Sequence, residues 1–407
     1  MGLDFLRQAE WLGRRRAVGY LRLLAVLNIA ALAFLIVTAH GGIDRNGFLL
    51  GSDFLSFWTA GRMLHGAGDV YDAAAHIAAQ RGYFAQDGAY TAFFYPPSFL
   101  LACWPLGFLP YFPALGLWLA VTGAAFLGTA KAWLRRVGSA WPAWFLFAAF
   151  PPVFITITHG QTSFLVAALL GLGALMVRGR PVLAGICFGL ATIKPQFGLL
   201  VPLVLLLTGE WRVIATAAGT ALVLALMATL AFGSDIWAEW RAVSATAQAA
   251  LEQGAVPYAK MQSAFAGAML LGAPLWLGYA VQGLVGVGVI GVVVRASWRR
   301  RYDLPLAALM LAGAPLVTPF VLDYDMVLLA FPLIWLAART PRPWERIACA
   351  AAFIAPAFAR PLAMHFGVPI MPLVLIALFA VLARRVLSKG GGRVVSGCQT
   401  PGIVTFE

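Results

Sequence analysis

From Leu21 to Arg384 this chain returns repeatedly to apolar runs of helix length, and no other feature restricts its fold as much. An α-helix needs about 20 mostly apolar residues to cross a bilayer, because lipid offers backbone N–H and C=O groups no water to bond. The runs fall at 20–39, 111–131, 141–157, 162–177, 182–193, 196–208, 213–231, 274–294, 304–320, 325–338, 346–363 and 370–386. They predict an all-α fold, a polytopic transmembrane helical bundle of about 12 spans. With 61% of residues hydrophobic and only 11% charged, a water-soluble domain is excluded as the home of so many runs. The Pro-rich stretch Tyr95–Pro110 is too short and broken to cross, and reads as a half-membrane or re-entrant element.

The charges give an independent check. If both termini lie inside, the spans alternate so that Arg14–Arg16, Lys131/Arg135/Arg136, Arg178/Arg180, Arg299–Arg301, Arg339/Arg342/Arg346 and Arg384/Arg385/Lys389 all face the cytoplasm. The large majority of the 29 basic residues then fall inside and most of the 16 acids outside, which is the positive-inside rule followed loop by loop. The net charge of +13 is therefore a membrane-surface signature that meets anionic lipid head groups, and no nucleic-acid partner is expected. The first span follows an Arg-rich segment without a clear small-residue cleavage site, so a retained anchor is expected. Residues 1–387 read as one integral-membrane domain, and 388–407 as a flexible cytoplasmic tail. Cys103, Cys187, Cys349 and Cys398 are scattered, three of them in apolar segments, as buried thiols would be rather than disulfides or metal ligands.

In this topology the polar residues that matter converge on the outer side. The first outer loop, 41–94, reads as two short helices, Asp53–His65 and Asp72–Phe84, the first with an apolar stripe (Phe54, Phe57, Trp58, Gly61, Met63, Leu64) suited to lying in the interface. Asp53 heads that loop's first helix. A carboxylate ringed by Phe54, Phe57 and Trp58 is costly to desolvate, so it is either a helix N-cap, alone or with Ser52, or a functional acid. Further outer segments carry His159-Gly-Gln161, the hairpin tip Ile193-Lys-Pro-Gln196, the long loop Phe232–Ser263 with Lys260, and Thr318–Asp325 with Asp323 and Tyr324. Each has a plainer reading. Lys194 snorkels to head groups, His159 and Gln161 satisfy a turn, Asp323 and Asp325 cap the next helix, and the aromatic stripe is an interfacial belt. Together they point to one site near the outer interface.

The order of motifs adds to this. Ser52-Asp-Phe…Trp58, Gly68-Asp-Val-Tyr-Asp72, Phe94-Tyr-Pro-Pro97, Pro105-Leu-Gly-Phe-Leu-Pro110, Gly160-Gln161, Gly189-Leu-Ala-Thr-Ile-Lys-Pro195 and Thr318-Pro…Asp323-Tyr-Asp325 resemble glycosyltransferase family 87, over roughly residues 20–385. This is a branch of the GT-C membrane enzymes, which use polyprenyl-phosphate sugars. The resemblance implies a mannosyl or related hexosyl or pentosyl transferase whose general base is an Asp of the first outer loop, here Asp53. Other GT-C branches place a second acid beside that Asp and bind a divalent metal. Here the neighbours are Ser52 and Phe54, so no metal site and no cofactor is expected.

The chemistry asks for little more. A polyprenyl-phosphate sugar carries an activated anomeric carbon and leaves as an anion, so the protein must deprotonate an acceptor hydroxyl, align the reactants and neutralise phosphate charge. Asp53 is expected to be the base, its pKa raised by the aromatic surroundings. Lys194 is the first candidate for the donor phosphate, then Arg62 or Lys260; Tyr95, His159, Gln161, Asp323 and Tyr324 are candidates for sugar hydroxyls. The expected enzyme is an inverting, multi-pass protein of the plasma (inner) membrane. Its site faces the periplasm or exterior and it transfers to a lipid or glycan acceptor. A transporter or lipid-linked sugar flippase is the competing reading, though the midspan regions are almost free of charge and no internal repeat is evident. A membrane acyltransferase would need a His base, and neither His159 nor His365 has a convincing partner.

Overall fold

A computed structural model of the chain describes residues 2–66, 68–84 and 91–388. The tail beyond Ser388, with Cys398, lies outside the described residues, as do parts of the predicted outer loop at 67 and 85–90. Among the described residues the fold is all-helical, with isolated β-bridges in place of any strand.

The chain opens with α1 (Gly2–Gln8) and the long α2 (Arg14–Val37), then enters the predicted outer loop, which holds α3 (Phe54–Met63) and α4 (Ala73–Tyr83). Asp72 caps α4 by accepting from the Ala75 N–H at 2.7 Å. The Pro-rich stretch forms α5 (Pro97–Leu106), a ten-residue helix too short to cross, and leads into α6 (Tyr111–Arg136). The run at 141–157 is broken into α7 (Ala143–Ala149) and α8 (Pro151–His159), because Pro151 forces Phe150 into an extended conformation before starting the second helix. Then follow α9 (Ser163–Met176), α10 (Pro181–Leu190), two 3₁₀ turns at Ala191–Ile193 and Pro195–Gly198, α11 (Leu200–Thr208) and α12 (Trp211–Phe232). The segment predicted as the second long outer loop carries α13 (Ile236–Glu252), a 3₁₀ turn at Tyr258–Lys260 and α14 (Ala264–Leu270). The chain finishes with α15 (Leu275–Ser297), α16 (Leu304–Gly313), a 3₁₀ helix at Asp323–Leu329 running into α17 (Ala330–Ala337), α18 (Glu345–Phe366) and α19 (Ile370–Leu387).

Every predicted run coincides with helix, but among the described residues six helices alone are long and apolar enough to cross a membrane: α2, α6, α12, α15, α18 and α19. The others are short or interrupted. Some of these occupy the protein interior: α16 is buried from Leu306 to Gly313, and the 3₁₀–α17 segment along most of Asp323 to Leu336. The long helices lie around them. On α2 and α12, Leu23, Leu27, Ile29, Val37, Leu222, Leu226 and Leu230 are exposed, an apolar outer surface that water would not tolerate and lipid would. The α10–α12 pair closes through Gly185 and Gly189: a Cβ on either would stand 2.5 Å from the Cβ of Thr216 or Thr220. That is the small-residue spacing that lets membrane helices approach backbone to backbone.

One expectation fails here. The apolar stripe of α3 does not lie in an interface; the helix is buried from Phe54 to Gly61 on all sides. It packs on α5, where Gly61 meets Gly107 so closely that a Cβ on Gly61 would sit 2.2 Å from the Cys103 carbonyl oxygen. Phe54 and Phe57 join Tyr95, Phe99, Tyr111 and Trp118 in one aromatic cluster rather than a surface belt. The row opposite the stripe, Ser56 and Thr59, is buried as well, so the helix has protein on both faces and amphipathic spacing did not mark an interface.

Candidate active site

Asp53 stands at the N-terminal end of α3, yet no side-chain oxygen caps that helix, so neither it nor Ser52 plays the cap role. Its backbone is fixed instead: the Asp53 N–H donates to the His159 carbonyl at 3.0 Å and the Gly51 N–H to that of Thr158 at 2.9 Å. This lays the start of α3 against the end of α8. The close approach needs Gly160, which ends α8 with φ +67° and whose Cβ would meet that of Phe54 at 2.6 Å. Trp118 closes the turn by donating its indole N–H to the Gly160 carbonyl at 3.0 Å.

The carboxylate, thus freed from capping, points into a network of residues drawn from five segments. Gln161 Nε2 donates to Asp53 Oδ2 at 2.9 Å and to the Tyr324 hydroxyl at 3.1 Å. The other end of the same amide is fixed by Tyr95 Oη at 3.0 Å and by the Thr162 N–H at 2.9 Å. Lys260 Nζ lies 3.6 Å from Asp53 Oδ2 and 5.3 Å from the centre of the Tyr324 ring. His159 is anchored through Nδ1 to the Ile155 carbonyl at 2.9 Å, with its ring 5.6 Å from that of Tyr324.

Burial alone would raise the Asp53 pKa, but Lys260, His159 and hydrogen bonds from Gln161 and Tyr324 outweigh it and hold the carboxyl below the usual carboxylate range. This reverses the expected upward shift, which took account of the aromatic neighbours in the chain and not of donors arriving from elsewhere. Asp323 is the contrast. Its carboxyl is also buried, its Oδ1 accepts from the Tyr324 N–H at 2.9 Å, and Arg360 lies 3.7 Å from Oδ2. For Asp323 burial prevails over His159, Lys260 and Arg360, and the pKa is raised. The two carboxylates of one cluster are pushed in opposite directions, Asp53 toward the ionised form and Asp323 away from it.

Lys194 is also in the cluster, but not as a snorkelling side chain. It is buried and its Nζ sits 2.8 Å from Asp325 Oδ1. Asp325 does what a capping acid would, accepting from the Leu322 N–H at 3.2 Å, while its other oxygen takes Lys194 and Ser163. Arg62 is not brought to the site. At the far end of α3 it donates to the Gly107 carbonyl at 3.2 Å and stacks over Trp58 and Tyr83. Arg360 is a further cation of the cluster that the sequence reading did not name, although its signal was available: like Lys194, it is an isolated cation at the end of an apolar run that the predicted topology places outside, where the charge rule disfavours it. Its side chain, 31% exposed, and that of Lys260, 17% exposed, form the accessible edge of an otherwise buried cluster. Among the described residues no group of three or more His, Cys, Asp or Glu side chains is disposed to hold a metal ion.

Two buried carboxylates, Asp53 with Lys260 beside it and Asp323 with Arg360, thus form one polar cluster inside an otherwise apolar helical protein. A sequence profile of glycosyltransferase family 87 matches residues 93–322. The chain belongs to that family and is a glycosyltransferase. The matched stretch includes Tyr95, His159, Gln161, Lys194 and Lys260; Asp53, Asp323, Tyr324 and Arg360 fall outside it and join the site through the fold. Comparison with curated proteins and with solved structures gave no match.

Proposed function

We propose that the enzyme transfers a sugar, mannose being the leading candidate, from a polyprenyl-phosphate donor to a hydroxyl of a lipid or glycan acceptor at the outer face of the plasma membrane. Asp53 is the general base. The observation that carries this reading is that the Asp53 carboxylate is buried, caps no helix, and among the described residues meets Gln161 at 2.9 Å and Lys260 at 3.6 Å, both at Oδ2. In the reaction Asp53 takes the proton of the acceptor hydroxyl, whose oxygen attacks the anomeric carbon. The bond from that carbon to the phosphate oxygen breaks with inversion, and the polyprenyl phosphate leaves as an anion that needs no proton.

The phosphate requires positive charge on the accessible side, and Lys260 with Arg360 supplies it. This ranks Lys260 above Lys194, whose charge Asp325 already matches. Arg62 is set aside as too distant. Tyr95, Gln161 and Tyr324 form one hydrogen-bonded chain that ends on Asp53, so the reading gives them the task of aiming the base, and leaves His159 and Asp323 nearest the sugar. The lipid chain of the donor lies against the apolar outer helices.

The test is transfer in detergent from a labelled polyprenyl-phosphate mannose to an envelope lipid or glycan extract. Asp53→Asn is expected to lower the rate by roughly 100–10,000-fold, the range for loss of a general base, with folding retained. A variant with wild-type rate would remove Asp53 from the mechanism. A wild-type protein that moves the donor across vesicles without forming product would turn the reading toward a flippase.

A further inference from the structure

Lys194 is a lysine ammonium only 6% exposed, a location that is tolerable only if its charge is matched. Asp325 matches it at 2.8 Å, and the ammonium also faces the rings of Tyr324, 5.1 Å away, and Phe197, 5.9 Å away. Asp325 is in turn fully engaged: Oδ1 takes Lys194 and Ser163, the latter at 2.6 Å, and Oδ2 takes the Leu322 N–H. A neutralised and enclosed pair has little pull on an anionic ligand. What it does is join three segments distant in sequence: the start of α9 at Ser163, the link between two 3₁₀ turns at Lys194, and the opening of the 3₁₀ helix at Asp325.

The residue beside Asp325 is Tyr324. Its carbonyl accepts from Thr156 at 3.2 Å, and its hydroxyl accepts from the Gln161 amide that also donates to Asp53. We propose that Lys194 is a positioning residue for the transfer reaction, its ion pair with Asp325 holding Tyr324, and through it Gln161, against Asp53. Lys194 then touches neither donor nor acceptor. The inference rests on the reading of Asp53 as the base and adds to it the means by which that base is aimed.

The experiment compares kcat and donor KM of wild type, Lys194→Met, Lys194→Arg and the double variant Lys194→Met/Asp325→Asn, using purified full-length enzyme and labelled polyprenyl-phosphate mannose. Lys194→Met should lower kcat by about tenfold or more and leave donor KM within about threefold, because a misaimed base affects the transition state and not donor binding. Lys194→Arg, which keeps the charge, should retain more activity than Lys194→Met. The double variant should recover most of the lost kcat. It leaves no buried charge unpaired, and the amide oxygen that replaces a carboxylate oxygen still accepts from Ser163 or Leu322. A donor KM raised about tenfold with kcat preserved overturns the proposal and returns Lys194 to the phosphate. So does a double variant no better than the single one. If Lys194→Met does not fold, the double variant carries the test by itself: near-normal donor KM with kcat lowered about three- to tenfold supports the positioning role, and either an unchanged kcat or a raised KM defeats it. Failure of the underlying reading looks different, for wild type and Asp53→Asn would then share one rate.

Discussion

At Asp53 the deciding forces come from residues far away in the chain. Local sequence surrounds it with Phe54, Phe57 and Trp58 and leads one to expect a carboxyl of raised pKa; Lys260, His159, Gln161 and Tyr324 reverse the sign. A base acts only when ionised, so the rate falls as pH drops through its pKa. A lowered pKa puts that acid limb below the usual carboxylate range, and Asp53 should be fully active at neutral pH. Lys260→Met removes the largest stabilising charge while burial, His159, Gln161 and Tyr324 remain. The acid limb of the kcat/KM profile should therefore move to higher pH, with weaker donor binding as well. A limb that stays where it is in Lys260→Met would show that Lys260 does not govern the charge of Asp53. Asp53 and Gln161 were legible in the sequence because a polar residue in an apolar chain needs a reason. Their mutual bond was not, being a contact between residues that only folding brings within reach.

Among the elements, α3 and its contacts set the precision of the site. Gly61 and Gly107 touch backbone to backbone where α3 packs on α5, and Gly160 meets Phe54 where α8 ends. Gly61→Ala places a methyl group where the Cys103 carbonyl now lies, and overpacking of this kind costs about 1–3 kcal/mol. The expected outcome is a lower midpoint of thermal unfolding in detergent. Gly160→Ala adds backbone strain at φ +67° to a 2.6 Å clash, and displaces the carbonyls of His159 and Thr158 that fix the start of α3. It should lower kcat more than stability, read by rate and melting together. The periodicity of α3 was legible, and its two ends came within a residue or two of the prediction. Its environment was not, since an apolar stripe faces either lipid or protein and the sequence does not say which.

Over the whole molecule the two populations of helix follow from what each must satisfy. Long apolar helices such as α2 and α12 bond their own backbones and present Leu and Val outward, so they can line a bilayer. Short ones such as α8, α10 and α11 leave helix ends inside the protein, and those ends are where the polar cluster is built. The inward orientation of the basic clusters remains a prediction of the charge rule. A single cysteine introduced at Asn46 should react with an impermeant maleimide from outside, and one at Thr340 only after permeabilisation; the reverse pattern would invert the topology. By itself the sequence determined the helical class, the recurring apolar runs and the family, because each is written in local composition, period or motif. Tertiary structure alone decided that Lys194 is paired, that Arg62 is remote, that Arg360 joins the site and that donors from other segments lower the pKa of Asp53. Charge matching and burial depend on distances between segments far apart in the chain, and one-dimensional spacing carries no record of them.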